Sequence, residues 1–128
     1  MNKAVYDTRF FVEFFYSKDD NMRSQIRMQK MQRKRYVSSI VVHELYRISL
    51  VREGQEIAKL RTTLINKDFQ VIPVDNQLAQ VSADLRHKYN LSMGDSMIAT
   101  TALQLDAICV SDDPHFNQIK EIKTTWLK

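Results

Sequence analysis

The sequence predicts a three-layer α/β/α sandwich with a central parallel sheet of about five strands. Short apolar, β-branched runs alternate with longer segments of helical periodicity, which is typical of repeated βαβ units. The strand runs are apolar throughout rather than alternating, as expected of strands covered on both faces. Glycine and proline occur only twice each, which argues against a turn-rich all-β protein.

Five short runs are predicted strands, the last of them weakly. They are residues 4–6, 36–38, 69–74, 107–110 and 122–126.

Apolar residues at helical spacing predict the helices between these strands. The helical segments are residues 9–16, 22–34, 40–53, 75–89 and 95–106. Asp75 is a suitable N-cap directly after a predicted strand, and Asp113-Pro114 combines an acidic cap with proline at the first helical position. Met28 and Met31 lie on one side of their helix, as expected of a core or interface stripe.

Length and cysteine content predict one domain, residues 1–128, in a reducing compartment. The single cysteine, Cys109, excludes an intrachain disulfide framework and a cysteine-based zinc site, and we expect a cytoplasmic protein. No stretch approaches the roughly 20 apolar residues of a membrane span, so we expect no membrane association.

Charge is distributed unevenly along the chain. Residues 21–35 contain six basic residues and no acid, so this segment is +6 in a chain of net charge +4 and the remainder is −2. Such a segment favours an anionic partner, most often nucleic acid, and we expect Arg33, Lys34 and Arg35 to contact it. The alternative is a solvated helix face.

Acidic residues follow two predicted strands. Asp7 comes directly after the first strand, and Ser111, Asp112 and Asp113 follow the strand that ends at residue 110. Asp95 opens the helix that leads into that strand. Ligands of open parallel sheets bind outside the carboxyl ends of the strands, so these side chains are candidates for a site. Each acid could instead act only as a helix cap.

Glu44 is the most informative acid because of its position on a helix. At about 100° per residue it lies between Ile48 and Val51, on the stripe that Val41 and Leu45 direct toward the core. A carboxylate there is costly to bury unless a charge or a metal ion pairs with it.

Convergence of Asp7, Glu44, Asp95 and Asp113 would require a cation or bound protons. Two carboxylates about 5 Å apart repel by about 3 kcal/mol at an effective dielectric constant of 20. Oxygen ligands without Cys or His select Mg²⁺ or Mn²⁺. Such an ion suits phosphodiester hydrolysis, because it orients a water and neutralises charge that develops on the phosphate.

Four sequence motifs occur in order along almost the whole chain. They are residues 6–8 (YDT), 38–45 (SSIVVHEL), 94–102 (GDSMIATTA) and 110–116 (VSDDPHF). Together they resemble the PIN-domain ribonucleases, particularly the VapC-type toxins and their archaeal relatives.

The resemblance implies a sheet of order 3-2-1-4-5 and an acidic Mg²⁺ or Mn²⁺ site. It assigns the metal-binding and catalytic roles to a quartet of acids: Asp7, Glu44, Asp95 and Asp113. It also implies cleavage of RNA to 5′-phosphate and 3′-hydroxyl ends, a homodimer, and a cognate antitoxin that blocks the site. Whether one or two ions bind is open.

Neighbouring residues have less defined roles in this resemblance. Ser111 matches a small hydroxyl residue that orients water or a ligand, and Thr8 matches a frequent Thr or Ser after the first Asp. Arg9 departs from the small or apolar residue of many relatives, and either contacts phosphate or pairs with an acid. Asp112 competes with Asp113 as ligand, and the spacing to Phe116 favours Asp113.

The sequence has three alternative interpretations besides a toxin. One is a PIN protein that acts in RNA processing, and another is a PIN module that binds RNA or protein without cleavage. The third is a phospho-accepting receiver domain, but the first strand offers only Asp7 rather than an acid pair, and no Asp follows Val37.

Overall fold

The structure, a computed structural model, describes residues 2–127, and the side chains of residues 29–32 lie outside that description. The strands are β1 (Lys3–Tyr6), β2 (Lys34–Ser38), β3 (Gln70–Ile72), β4 (Ile108–Val110) and β5 (Thr124–Thr125). The helices are α1 (Thr8–Tyr16), α2 (Asp20–Gln32), α3 (Ser39–Glu53), α4 (Gln55–Asp68), α5 (Asn76–Tyr89) and α6 (Met93–Leu105). A short 3-10 helix, Pro114–Gln118, lies between β4 and β5.

The five strands form one sheet of order β3-β2-β1-β4-β5, and every neighbouring pair is parallel. β1 lies at the centre, where Val5 pairs with Tyr36 on one side and with Cys109 on the other. The predicted parallel sheet and the strand order implied by the resemblance are confirmed.

Both faces of the sheet are covered. Ala4, Val5 and Tyr6 follow one another along β1 and are all fully buried. Successive residues of a strand point to opposite faces, so protein must pack on each side of the sheet. The predicted three-layer arrangement is therefore confirmed.

A group of aromatic rings holds α1 against the centre of the sheet. Tyr6 lies 4.5 Å from Phe10 and 5.3 Å from Phe69 between ring centroids, and Phe11 lies 4.9 Å from Phe69. Tyr6, Phe10 and Phe11 are almost completely buried. Because Asp7 lies between Tyr6 and α1, this packing fixes the backbone from which its carboxylate extends.

The helix α4 was not predicted. Its inward face has only two buried residues, Ala58 and Ile65, which leaves a weak periodic pattern. Gly54 separates it from α3 with a φ of 96°, in the region that favours glycine. No helix within residues 2–127 has the length and apolar character needed to cross a bilayer.

Two residues on or beside the predicted apolar stripes are exposed, which contradicts the core alternative for Met28 and leaves its interface alternative a prediction. Val51, placed next to the core-facing stripe of α3, is 78% exposed, because this stripe reaches solvent toward the end of the helix. Met28 is 55% exposed and is not a core residue. The predicted partner Met31 and the basic residue Lys30 have side chains outside the described residues.

Candidate metal and nucleic-acid site

Asp7 is fixed at the carboxyl end of β1 by three hydrogen bonds. Its backbone N–H donates to the Val110 carbonyl at 3.1 Å, which extends the pairing of β1 with β4. Its carboxylate accepts from the Thr8 N–H at 2.7 Å and from the Ser111 hydroxyl at 2.5 Å. The residue therefore caps α1 and also faces the end of the neighbouring strand, so capping and a role in a site are compatible.

Ser111 connects two acids of the site. Its hydroxyl donates to Asp7 and accepts from the Asp113 backbone N–H at 3.0 Å. The carboxylate of Asp113 in turn accepts from the His115 N–H at 2.9 Å, which is the predicted capping contact. One buried hydroxyl thus connects the carboxylate of Asp7 with the backbone of Asp113, beyond the ends of two adjacent strands.

Asp95 reaches the same region from the first turn of α6. The helix begins at Met93 with Ser92 as its N-cap, and the Asp95 N–H donates to the Ser92 hydroxyl at 3.1 Å. Asp95 is therefore the third helical residue and not the cap that its position suggested. Ser92 is therefore the cap of this helix, and the Asp95 carboxylate lies in its first turn.

Glu44 is half-buried between α1 and α6. It accepts a hydrogen bond of 2.6 Å from the Thr8 hydroxyl. A Cβ atom at Gly94 would lie 3.3 Å from the Glu44 carboxylate, so the absence of a side chain at residue 94 leaves room for this acid. The inward position predicted for Glu44 from the helical wheel is confirmed.

Burial and neighbouring charge shift the pKa of two of the acids. Burial, together with the charges of Asp95 and Asp113, raises the pKa of Asp7 to about 6 against the opposing hydrogen bonds from the Ser111 hydroxyl and the Thr8 N–H. Burial also raises the pKa of Asp95, followed by the charge of Asp113 and, more weakly, that of Glu44. The charges of Asp95 and Asp113 thus reach Asp7, and that of Glu44 reaches Asp95, in a place where burial makes negative charge costly.

His115 joins this group, although the sequence analysis gave it no place in the site. Asp95, Asp113 and His115 each offer one ligand atom, and these atoms lie within 4.8 Å of one another. The His115 Nδ1 atom is 3.2 Å from an Asp113 oxygen and 4.0 Å from an Asp95 oxygen. Its spacing of two residues after Asp113, beyond the proline, was the available sequence signal. A set of two carboxylates and one imidazole fits a divalent cation.

Asp112 and Arg9 pair with each other at the rim of the site. The Arg9 guanidinium donates to both Asp112 oxygens at 3.1 Å, and Glu13 lies 4.0 Å from the same side chain. Of the two outcomes considered for Arg9, the structure shows the pairing with an acid. Both oxygens of Asp112 accept hydrogen bonds from Arg9, whereas Asp113 offers a ligand atom within 4.8 Å of one from Asp95.

The predicted nucleic-acid contacts at residues 33–35 lie far from the acids. Lys34 begins β2 and pairs with Lys3, so this segment lies at the amino ends of the strands. At about 3.3 Å per residue, the five residues of β2 separate its two ends by about 13 Å. The Arg35 side chain there donates to the Asp68 carbonyl at 2.9 Å. The structure does not bring this basic segment together with the acidic site.

A family model for the PIN domain matches residues 4–122. The chain belongs to the PIN-domain family, which confirms the identification made from the four motifs. No curated protein matches the chain in sequence.

Solved structures that are similar to this chain include toxin–antitoxin proteins. VapBC2 from Rickettsia felis, bound to a DNA fragment from its promoter, has a TM-score of 0.80 at 16% identity, with 98% of each chain covered. DNA-bound VapBC from Salmonella typhimurium has a TM-score of 0.79 at 20% identity, again with 98% of each chain covered. VapC20 from Mycobacterium tuberculosis, a toxin that cleaves the sarcin–ricin loop, has a TM-score of 0.75 at 15% identity, covering 94% of this chain and 99% of that one. At these identities the likeness shows the fold.

Proposed function

We propose that this protein is an endoribonuclease that depends on Mg²⁺ or Mn²⁺ and serves as the toxin of a toxin–antitoxin pair. The observation that carries the proposal is the cluster of acids at the carboxyl ends of β1 and β4 in a PIN fold. The charges of Asp95 and Asp113 help to raise the pKa of Asp7, and the charges of Asp113 and Glu44 help to raise that of Asp95. Without a cation, burial and mutual repulsion favour the protonated, neutral form of such carboxyl groups.

Asp95 and Asp113 would hold the ion, and the adjacent His115 offers a nitrogen ligand. Asp7 and Glu44 complete the negative environment. When bound, a divalent ion would supply Lewis-acid activation of water and of the scissile phosphate. Binding of a cation favours the ionised form of Asp7, so metal affinity should rise as the pH increases through about 6.

The hydroxyl residues position these acids. Ser111 holds Asp7 and Asp113 in register, and Thr8 holds Glu44. Because both hydroxyls donate to carboxylate oxygens, they fix which oxygens remain available to a ligand. We assign Ser111 and Thr8 positioning roles rather than direct contact with the ion.

The toxin assignment draws on the similar structures. VapBC structures are complexes of a toxin with its antitoxin, some of them bound to DNA, and VapC20 cleaves RNA in the sarcin–ricin loop. For this chain we infer an RNA substrate, a cognate antitoxin protein and a homodimer. A role in RNA processing without an antitoxin is the competing proposal.

Cleavage assays on the purified full chain test the enzymatic proposal. We expect cleavage of RNA with Mg²⁺ or Mn²⁺, none with EDTA, and none with Asp7→Asn. Asp75→Asn is the matched control, because Asp75 caps α5 through the Leu78 N–H and Asn is an equally good cap. Activity that survives both EDTA and Asp7→Asn would contradict the proposal.

Expression in bacteria tests the toxin assignment. We expect growth arrest that Asp7→Asn abolishes and that co-expression of the protein encoded by the adjacent short reading frame relieves. Co-purification of that protein with the chain is the second readout. Active nuclease without growth arrest and without a co-purifying partner would favour the RNA-processing role.

A further inference from the structure

A cavity of about 350 Å³ adjoins the acidic site. Thr8 and Glu44, joined by their hydrogen bond, line both the site and this cavity. The volume lies in the range of about 300–1,000 Å³ found for small-molecule sites. A ligand group in the cavity would therefore be directly next to a group bound at the acids.

One side of the cavity is cationic and polar. His43 and Arg47 are four residues apart on α3, so they lie on one face of the helix, and both are exposed. In the part of the chain that the structure describes, no hydrogen bond or ion pair engages the Arg47 guanidinium or the His43 ring.

Arg47 differs in this respect from other arginines of the molecule. Arg9 pairs with Asp112, and Arg61 pairs with Glu53 at 2.6 Å. The fork of a guanidinium matches the oxygens of a phosphate, and Arg47 presents it beside a strongly acidic site. Its positive charge there complements a polyanion that has to approach these acids.

The other side of the cavity is apolar. Ile48 is half-buried, and Met93 is 53% exposed at the start of α6. A methionine side chain adapts to the face of a ring and makes favourable sulfur–aromatic contacts. Bases of single-stranded RNA are free to leave their stack and pack on such a surface, whereas bases in a duplex are not.

We propose that this cavity is a nucleotide subsite that binds the residue of single-stranded RNA next to the scissile phosphate. Arg47 binds the neighbouring phosphate, His43 donates to the phosphate or the sugar, and Ile48 and Met93 contact the base. The proposal rests on the ribonuclease function proposed above and adds the residues of this chain that contact the nucleotide.

Steady-state cleavage of short oligoribonucleotides is the first test. Arg47→Ala should raise KM by about 10-fold with less than about a twofold change in kcat, because hydrogen bonds to charged groups are lost in binding rather than in chemistry. Arg47→Lys should recover part of this loss, since it keeps the charge without the fork. Two further substrates each lack one nucleotide, on one side or the other of the scissile phosphate. Arg47→Ala should have no effect on cleavage of the substrate that lacks the nucleotide whose phosphate Arg47 binds.

Binding to a variant that does not cleave is the second test, and it does not depend on activity. In an Asp7→Asn background at constant Mg²⁺, the slope of log affinity against log salt should fall by about 0.7 when Arg47→Ala removes one phosphate contact. The matched control is Arg52→Ala on the same helix. The Arg52 guanidinium lies 4.4 Å from the centre of the Tyr16 ring, and Arg52 does not line the cavity.

The outcomes separate the two proposals. If the wild-type protein cleaves RNA but Arg47→Ala matches Arg52→Ala in KM, in salt slope and with every shortened substrate, the subsite proposal is overturned. If the wild-type protein cleaves no RNA, the ribonuclease proposal fails, and the salt slope still decides whether Arg47 binds a phosphate. Unchanged circular dichroism spectra and melting temperatures show that each variant is folded.

Discussion

The two ends of the parallel strands carry opposite charge. The carboxyl ends bring Asp7, Asp113 and Asp95 together, and these acids are buried or half-buried. The amino ends carry Lys3 and Lys34, which pair in register, and residues 33–35 continue this basic surface. About 13 Å of strand separates the two regions.

The two regions differ in the free-energy cost of keeping their side chains charged. At the amino ends Lys34 is exposed, and Lys3 and Arg35 are half-buried and donate to the backbone carbonyls of Leu105 and Asp68. The acids at the carboxyl ends are held close by Ser111 and Thr8, so their repulsion remains until a cation or protons offset it. A chemical site therefore belongs at the carboxyl ends, and the amino ends can at most add affinity for a long polyanion.

The largest expected effect distinguishes two adjacent acids at the carboxyl ends. Asp113→Asn should lower RNA cleavage by more than about 100-fold, because loss of a metal ligand exceeds the 10–100-fold cost of losing an outer-shell partner. Asn still caps the 3-10 helix. The matched variant Asp112→Asn, which disturbs only the pair with Arg9, should retain activity within about threefold, since such exposed pairs contribute little. Equal losses in steady-state kcat/KM would show that Asp112 also belongs to the site.

The next effect is on stability, and its sign follows from the pKa of Asp7. Burial raises this pKa from 3.8 to about 6, so the folded chain binds more protons than the unfolded chain between these values. The free energy of unfolding should therefore fall as the pH rises from about 4 to about 6. At about 1.36 kcal/mol per pKa unit, the full loss at pH 7 is about 3 kcal/mol.

Urea denaturation in EDTA checks this expectation. Asp7→Asn should remove most of the decline and be more stable than the wild type at pH 7, with a smaller decline remaining because burial also raises the pKa of Asp95. Mg²⁺ should reverse the decline in the wild type. A wild-type protein with equal stability at pH 4 and pH 7 would contradict the burial of a charged Asp7.

A smaller effect is expected for the hydroxyl that joins the two acids. Ser111→Ala should reduce cleavage by about 10–100-fold, the usual cost of losing an outer-shell partner, because Asp7 and Asp113 lose their common hydrogen-bond partner. Ser111→Thr keeps the hydroxyl and should retain more activity. The metal affinity of Ser111→Ala, measured by calorimetry, should fall in parallel with its activity. An unchanged metal affinity would show that Ser111 does not position the metal-binding acids.

The smallest effect tests the amino ends of the strands. Lys34→Ala should leave kcat and the binding of short oligoribonucleotides unchanged. It should weaken the binding of long RNA and lower the slope of log affinity against log salt by about 0.7. Salt-dependent binding of both RNA lengths is the measurement. Weaker binding of the short RNA would mean that the two regions act on the same few nucleotides, and it would break the comparison.

Much of the fold could be predicted because the strands are continuous apolar runs. The fully buried β1 and the half-covered β5 were both found, although β5 is only the pair Thr124–Thr125 within the predicted 122–126. The missed α4 shows the limit of periodicity. With only Ala58 and Ile65 buried, its position depends on packing against α3 rather than on an apolar face of its own.

The sequence could indicate the acids of the candidate site, but it could not indicate which other side chains lie beside them. Asp7 and Asp113 follow strands in the chain, and Glu44 lies on a core-facing stripe, so each is recognisable locally. His115, Arg47 and the pairing of Arg9 with Asp112 depend on which side chains meet across the ends of α1, α3 and β4. These contacts join residues that are far apart in the chain, so no local sequence pattern predicts them.

The amino-acid sequence by itself determined the layered parallel fold and the four acids, because hydrophobic periodicity and the ends of strands are local properties of the chain. Only the tertiary structure decided that Thr8 and Ser111 connect Asp7 with Glu44 and Asp113 by hydrogen bonds, and that the basic residues 33–35 lie at the other end of the sheet. Charges interact through space and through burial, and both are set by packing between segments that are far apart in the chain.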